Sequence, residues 1–415
     1  MYRDVFDATG PLSAFIFWII DFLDGRSVFV YRFLAAALLL FQALNLNFIF
    51  NRHQVFPQKN YLPALFYILG GSFFFEFDTL SPLLIGQTFV VYSLRYLIVV
   101  SKEGSNNPKL FKGGFFIGLA ALSYLPFSLF LLTAYFAVAF FASNTFRSFL
   151  LLLCGFFFPF AVSGTYYLYN DALSEFRQFY FLSSGLAGFN FLIAPLDLLK
   201  LLALPLLLMI GGFFAALNTN QGLVFQQKVQ QLMFIWLGTA VLIFFLSPEI
   251  SALNFLFFLP ALAYYSYFLF RAQQRWWIAE IVFLSILALL LAVRFATPLG
   301  LDKILNVNSS ALQLRNDPKY RKIVNGRLLV LGPDFQYYAY NYAASPYLDW
   351  NLAQQDFSNL DTYFGVFTLH ENLAGNLPDF IVDEVGLMPK LVYHLPTVFG
   401  RYEPAGAPQL YRLKK

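Results

Sequence analysis

From residue 29 to residue 294, long apolar runs alternate with short polar connectors. A helix crossing the hydrocarbon core needs about 20 mostly apolar residues, because each adds only ~1.5 Å of rise. Measured against that length, the runs predict ten spanning helices, at 29–50, 61–76, 80–100, 113–124, 126–142, 148–168, 192–217, 231–247, 251–270 and 276–294. The fourth and fifth meet at Pro126 and read either as one long kinked helix or as two short ones. That choice reverses the sidedness of everything after it. Residues 11–24 are apolar but too short to span. They enter through Gly10-Pro11, where proline suits a first helical turn, and carry Asp21 and Asp24 on one side, which predicts a helix lying along the outer leaflet.

The charges decide between the alternatives through the positive-inside bias. With ten spans, one set of connections carries Arg52, Lys59, Lys102, Lys109, Lys112, Arg147, Lys228, Arg271 and Arg275, with Arg95 near a helix end, against the single acid Glu103. The opposite set holds Asp4, Asp7, Asp21, Asp24, Glu76, Asp78, Asp171, Glu175, Asp197 and Glu249, with Arg3, Arg26, Arg32, Arg177, Lys200 and Arg294. Fusing the fourth and fifth helices would move the long 169–191 loop across and spoil the separation. The basic set is therefore expected in the cytoplasm. An outward amino terminus with no span before it is an unusual start, and points to a mis-assigned start codon or a lost first helix.

Composition supports the same class. Of 415 residues, 59% are hydrophobic and 12% charged, against roughly 25% charged in a soluble domain. A globule of this size still needs a charged exterior, so a wholly soluble fold is excluded, as are disordered and collagen-like chains. The charge is concentrated late: residues 298–415 hold 11 of the 27 Lys+Arg and 11 of the 23 Asp+Glu. That tail reads as a small soluble α/β domain. Arg327–Gly332 and Phe380–Asp383 are expected as buried strands, Gln409–Leu413 as a closing strand, and 335–344 and 357–367 as further helix and strand. The organisation is an outer loop with its interfacial helix (1–28), a helical membrane domain (29–297) and an outer α/β domain (298–415). A scattered net charge of +4 excludes a nucleic-acid partner, which needs a clustered basic face. Cys154 is the lone cysteine, so no disulfide forms within the chain, and its apolar neighbours mark it as a small core filler.

Candidate chemistry collects on the acidic face. The densest cluster is Tyr2-Arg3-Asp4-Val5-Phe6-Asp7-Ala8-Thr9-Gly10-Pro11-Leu12. Two carboxylates three residues apart, just above the bilayer, can supply a general base over a lipid headgroup, or simply form a solvated edge. Glu76-Phe77-Asp78 offers two oxygens for a divalent ion. His53, His370 and His394 have no ligand spacing, Glu280 lies about one turn inside the last span, and the tail acids, Asp334, Asp383 and Glu384 among them, read as solvated loops.

The order Tyr2, Asp4, Asp7, Gly10-Pro11-Leu12, short interfacial helix, Gly25-Arg26-Ser27, then Tyr31-Arg32-Phe33-Leu34-Ala35 resembles the first outer loop of GT-C-fold glycosyltransferases, the protein O-mannosyltransferase and aminoarabinose-transferase-like enzymes. Gly113-Gly114, Gly118–Ser123 and Phe258–Ala263 resemble their fifth and a late helix, and Leu329–Gly332 with Phe380–Asp383 their outer domain. The chain as a whole resembles integral membrane proteins of that superfamily found in Bacteroidetes. The resemblance implies a multi-pass protein of the bacterial inner membrane with a periplasmic tail domain. It also implies transfer of a sugar from a polyprenyl-phosphate carrier to an envelope glycan, lipid or protein acceptor. Asp4 is then the expected base, with Asp7 as its substitute, and Arg26, Arg32, Arg177 and Lys200 are expected at the leaving phosphate. No residues are assigned to a metal, though a divalent ion is a cofactor that some members use. The competing expectation is a non-catalytic relative, a scaffold or subunit of an envelope-assembly machine, since the late stretch Ile250–Asn254 lacks the Arg, His or Tyr that relatives place near the headgroup.

Overall fold

The computed structural model describes residues 10–24, 28–103, 107–141, 146–171, 173, 176, 190–191, 194–219, 223–271, 276–295, 318–321, 323, 326–344, 347, 350–358, 360–374, 377–405 and 409–414. The chain divides into two compact units, one of residues 9–309 and one of residues 310–415 with 1–8. Each is described on its own.

The first unit is helical. In chain order it contains α1 (Pro11–Asp24), α2 (Val28–Arg52), α3 (Leu62–Gly71), α4 (Pro82–Glu103), α5 (Asn107–Ser123), α6 (Phe130–Phe141), α7 (Phe146–Tyr169), α8 (Pro195–Leu217), α9 (Val224–Leu246), α10 (Leu259–Arg271) and α11 (Trp276–Arg294). Asn190–Phe191 and Glu249–Ile250 form a two-residue parallel bridge, β1 with β2. Among the described residues, seven helices are long and apolar enough to cross a membrane: α2, α4, α7, α8, α9, α10 with its leading 3-10 turn, and α11. Their outward surface is apolar, with Phe146, Phe157, Leu207, Phe234 and Leu284 all exposed. Only a lipid solvent accepts such a surface, since in water it would drive aggregation. The protein is a multi-pass membrane protein.

The ends of several expected spans differ from the runs. The 61–76 run gives only the ten-residue α3, about 15 Å long, because the chain leaves the helix at Gly71-Ser72 and continues as a 3-10 turn over Phe75–Asp78. The expectation at 113–124 extends back to Asn107 and gives 17 residues. At Pro126 the chain does not kink within a helix. Tyr124 is extended (φ −154°, ψ 114°), and a 3-10 turn over Leu125–Leu129 leads into α6. By contrast, α9 begins at Val224 rather than 231, taking in Gln226, Gln227, Lys228, Gln230 and Gln231 as its first two turns.

Glycines fix the direction of these helices. A Cβ on Gly114 would stand 2.1 Å from the Leu152 carbonyl oxygen, and one on Gly118 2.4 Å from that of Phe156. Both contacts advance by one turn together, so α5 and α7 run parallel with backbones almost touching, and α6 is the return between them. Small residues allow this approach in membranes, where packing replaces the hydrophobic drive. On the other flank, Gly86 of α4 faces Ala120 of α5, while Gly113 faces Tyr96 and Leu97, an antiparallel pairing. Polar side chains join α2, α3 and α4: Tyr67 Oη donates to Gln42 Oε1 (2.8 Å), and Gln42 Nε2 donates to Thr88 Oγ1 and the Leu84 carbonyl (2.7 Å each).

The second unit contains a five-stranded sheet in the order β4-β3-β5-β7-β6, made of β3 (Arg327–Leu331), β4 (Tyr342–Ala343), β5 (Phe380–Asp383), β6 (Tyr402–Pro404) and β7 (Leu410–Leu413). β3 pairs in parallel with both β4 and β5, with Leu329 opposite Ile381, whereas β7 is antiparallel to β5 and β6. Leu329, Leu331 and Ile381 pack against Phe357, Leu369 and Leu391, from α12 (Trp350–Ser358), α13 (Tyr363–Ala374) and α14 (Met388–His394). Leu328, Val330 and Val382 pack on the other face with Tyr320 and Tyr337. Burial on both faces is why β3 and β5 read as unbroken apolar runs. A short α15 (Pro396–Phe399) completes the fold.

Candidate functional site

Two of the sequence motifs meet. The Gly10 N–H donates to the Ser123 carbonyl (3.2 Å), and Ser13 Oγ donates to the same oxygen (3.2 Å), so α1 is fastened at its start to the last carbonyl of α5. A Cβ on Gly10 would lie 1.9 Å from the Leu122 carbonyl oxygen, so only glycine allows this approach. Beside the junction, α1, α2 and α4 enclose an apolar groove of about 380 Å³, with Ile16 and Ile20 on one side and Leu34, Leu38, Ile85 and Phe89 on the other. Thr88, the outermost member of the Gln42 network, is its one polar side chain. Gln42, Tyr67 and Thr88 escaped the sequence reading. The available signal was an amide alone in an otherwise apolar run.

The expected site residues divide between described and undescribed segments. Asp4, Asp7, Arg26 and Arg177 lie outside the described residues. Arg32, near the start of α2, is exposed and its length lets it reach toward a headgroup. Lys200, in the second turn of α8, is held by Asp197 at 3.0 Å.

Asp78 is engaged by a cation. Arg294, at the end of α11, donates through Nη2 to Asp78 Oδ2 (2.6 Å) and through Nη1 to the Ser72 carbonyl (2.6 Å), with its guanidinium 4.5 Å from the centre of the Phe75 ring. The expectation that Asp78 offers a metal oxygen is corrected accordingly. Among the described residues no group of three His, Cys, Asp or Glu is placed to hold a metal ion. Cys154 is exposed on α7 rather than filling the core, because its neighbour Gly155 is the residue turned toward α5. Glu280 is likewise exposed.

Cations gather at the end of the bundle away from α1. His53, just past α2, is held below its ordinary value by burial and then by Lys102, Arg95, Arg52 and Lys109. These side chains come from the C-terminal ends of α2 and α4 and the start of α5, which therefore share one end of the helices.

In the tail unit, three of the acids are structural: Asp383, Asp334 and Glu384. The buried Asp383 carboxylate accepts from the N–H groups of Gly386 (2.7 Å), Leu387 (2.9 Å) and Met388 (2.9 Å), capping α14. Asp334 accepts from Tyr320 Oη (2.7 Å). Lys319 lies 3.7 Å from Glu384 and 4.9 Å from the centre of the Tyr337 ring; a hydrogen bond with Tyr337 and the nearby charge of Glu384 raise its pKa. The expectation of solvated loops is corrected for these residues. No family model, curated protein or solved structure matches the chain.

Proposed function

We propose that the protein is a GT-C-like membrane glycosyltransferase that moves a sugar from a polyprenyl-phosphate carrier to an envelope acceptor. In this reading it lies in a bacterial inner membrane, crosses it ten times and works on the periplasmic face, where the tail domain also lies. The observation that carries the reading is the Gly10–Ser123 junction, which fastens the start of α1, whose Ile16 and Ile20 line an apolar groove suited to a lipid tail. A donor whose isoprenoid stays in the hydrocarbon then presents its phosphate and sugar at the level of the first loop.

The chemistry requires little else. Asp4, or Asp7 in its place, takes the proton from an acceptor hydroxyl. The freed oxygen forms the new bond at the anomeric carbon, and polyprenyl phosphate leaves with the electron pair of the bond that breaks. Arg26, Arg32 and Arg177 are the cations available to the departing charge, and Lys200 joins them only by leaving Asp197. Asp4→Asn is expected to abolish transfer from a radiolabelled polyprenyl-phosphate sugar while the protein still accumulates in the membrane. Unchanged transfer removes Asp4 from the mechanism, and loss only in Asp7→Asn moves the role to Asp7.

The second reading, a non-catalytic scaffold, is favoured by one feature: Lys200 is already neutralised by Asp197. It predicts that no carrier-linked sugar is consumed and that both Asp variants behave as the parent.

A further inference from the structure

A second hollow, of about 280 Å³, lies at the basic end of the bundle, between the turn joining α2 to α3 and the start of α9. Asn51, Gln54 and Lys59 line it from the turn, Leu223 and Gln226 from α9, and none of its lining residues is a carboxylate. The turn is closed by two bonds of a left-handed helix cap: Val55 N–H donates to the Phe50 carbonyl (3.0 Å) and Gln54 N–H to that of Asn51 (3.4 Å), with Gln54 at φ 56°. Glycine fills such a position without steric cost. A glutamine there accepts backbone strain and sets an exposed carboxamide at the hollow's rim.

The surroundings are tied down and positive. Asn51 is locked to Asn60 at both ends of its amide (3.0 and 3.2 Å), and Gln226, 3% exposed, donates to the Gln54 carbonyl (3.3 Å). The N-cap residue of α9, Leu223, supplies no side-chain cap, and Leu223 with Gln226 brings the positive end of this 23-residue helix to the cavity wall. Lys102 Nζ sits 5.4 Å from the centre of the adjacent Phe225 ring. The field of Arg52, Arg95, Lys102 and Lys109 is registered by His53, beside the same turn, whose buried Nε2 has no partner. Membrane insertion alone explains loose cations at this end. It does not explain a hollow edged by an ammonium and carboxamides at a helix start.

We propose that this hollow binds an anion of the phosphate class, held by Lys59 Nζ and the Gln54 carboxamide against the start of α9. The ligand is either the phosphodiester of an anionic lipid headgroup or free phosphate. The proposal is independent of the glycosyl-transfer reading, whose site lies at the other end of the helices.

The test uses the full chain in a neutral maltoside detergent at constant ionic strength. Thermal unfolding is followed while inorganic phosphate or dioctanoyl phosphatidylglycerol is titrated, with dioctanoylglycerol as the lipid lacking phosphate. A saturable rise in Tm is expected with a phosphate-bearing probe. Response to both probes assigns the phosphate group itself, and response to phosphatidylglycerol alone assigns the lipid headgroup. Lys59→Gln, at an exposed position, is expected to weaken binding about tenfold, the effect of one charge-assisted hydrogen bond. Gln54→Gly is expected to weaken it about threefold while raising the Tm of the unliganded protein. Arg147→Gln, an exposed cation at the start of α7 outside the hollow, is expected to leave affinity within about twofold. The proposal is overturned by the absence of a saturable shift with either phosphate probe, by a dioctanoylglycerol response equal to that of phosphatidylglycerol, or by equal losses in Lys59→Gln and Arg147→Gln.

Discussion

Gly10 and Ser123, far apart in sequence, are joined backbone to backbone, and the missing side chain of the first is what lets the second come within 3.2 Å. Gly10→Val places atoms where the Leu122 carbonyl already stands. Overpacking of this kind costs about 1–3 kcal/mol. The expected result is a lower Tm, together with faster hydrogen exchange in Pro11–Asp24 but not in the tail sheet. Unchanged exchange in α1 would mean that the helix is held by its apolar face alone.

Arg294 and Asp78 form a pair whose acid is 39% exposed, so solvent screens it. A double-mutant cycle with Arg294→Gln and Asp78→Asn is expected to give a coupling of about 0.5–1 kcal/mol. Arg294→Gln alone should cost more than Asp78→Asn alone, because the guanidinium also serves the Ser72 carbonyl and the Phe75 ring. Equal single costs would argue against those additional contacts.

His53 is expected to titrate below 6.5, burial and four neighbouring cations both opposing its protonation. A histidine with a depressed folded-state value stabilises the fold fully above 6.5, and that contribution falls as pH drops toward the folded value. Lys102→Gln removes the largest of the charges and should raise the value measured by histidine NMR in the full chain. No movement would place Lys102 out of electrostatic reach.

Asp383 caps α14 with three backbone bonds. Asp383→Ala is expected to destabilise the tail unit by about 2 kcal/mol, read as faster exchange at Gly386, Leu387 and Met388. Exchange confined to its parent rate would show that water replaces the cap without loss.

Much of the fold was legible because a bilayer imposes a length and an apolar surface that composition reveals directly. The sequence placed a helix in each of the ten runs, and the tail strands Arg327–Leu331 and Phe380–Asp383 stand out as apolar runs because both of their faces are covered. Helix ends were less legible. Gly71 ends α3 early, whereas Gln226 to Gln231 extend α9, since polar residues near a membrane boundary fit inside a helix as well as outside it. Roles that depend on partners distant in sequence were hidden. Nothing near Asp383 marks it as a buried cap, nothing near Asp78 announces Arg294, and Gln42 gives no sign that Tyr67 and Thr88 complete it. The junction was half visible: Gly10-Pro11 and Gly118–Ser123 could be singled out separately, but only the fold shows that they touch.

The parallel seating of α5 on α7 constrains how the chain matures during insertion. Gly114 and Gly118 gain their partners only after the segment through Pro159 has entered the bilayer, so α5 waits in the lipid while α6 is threaded back. Because α1 is latched to the end of α5, a helix synthesised before α5 acquires its final footing through one of the helices that must wait.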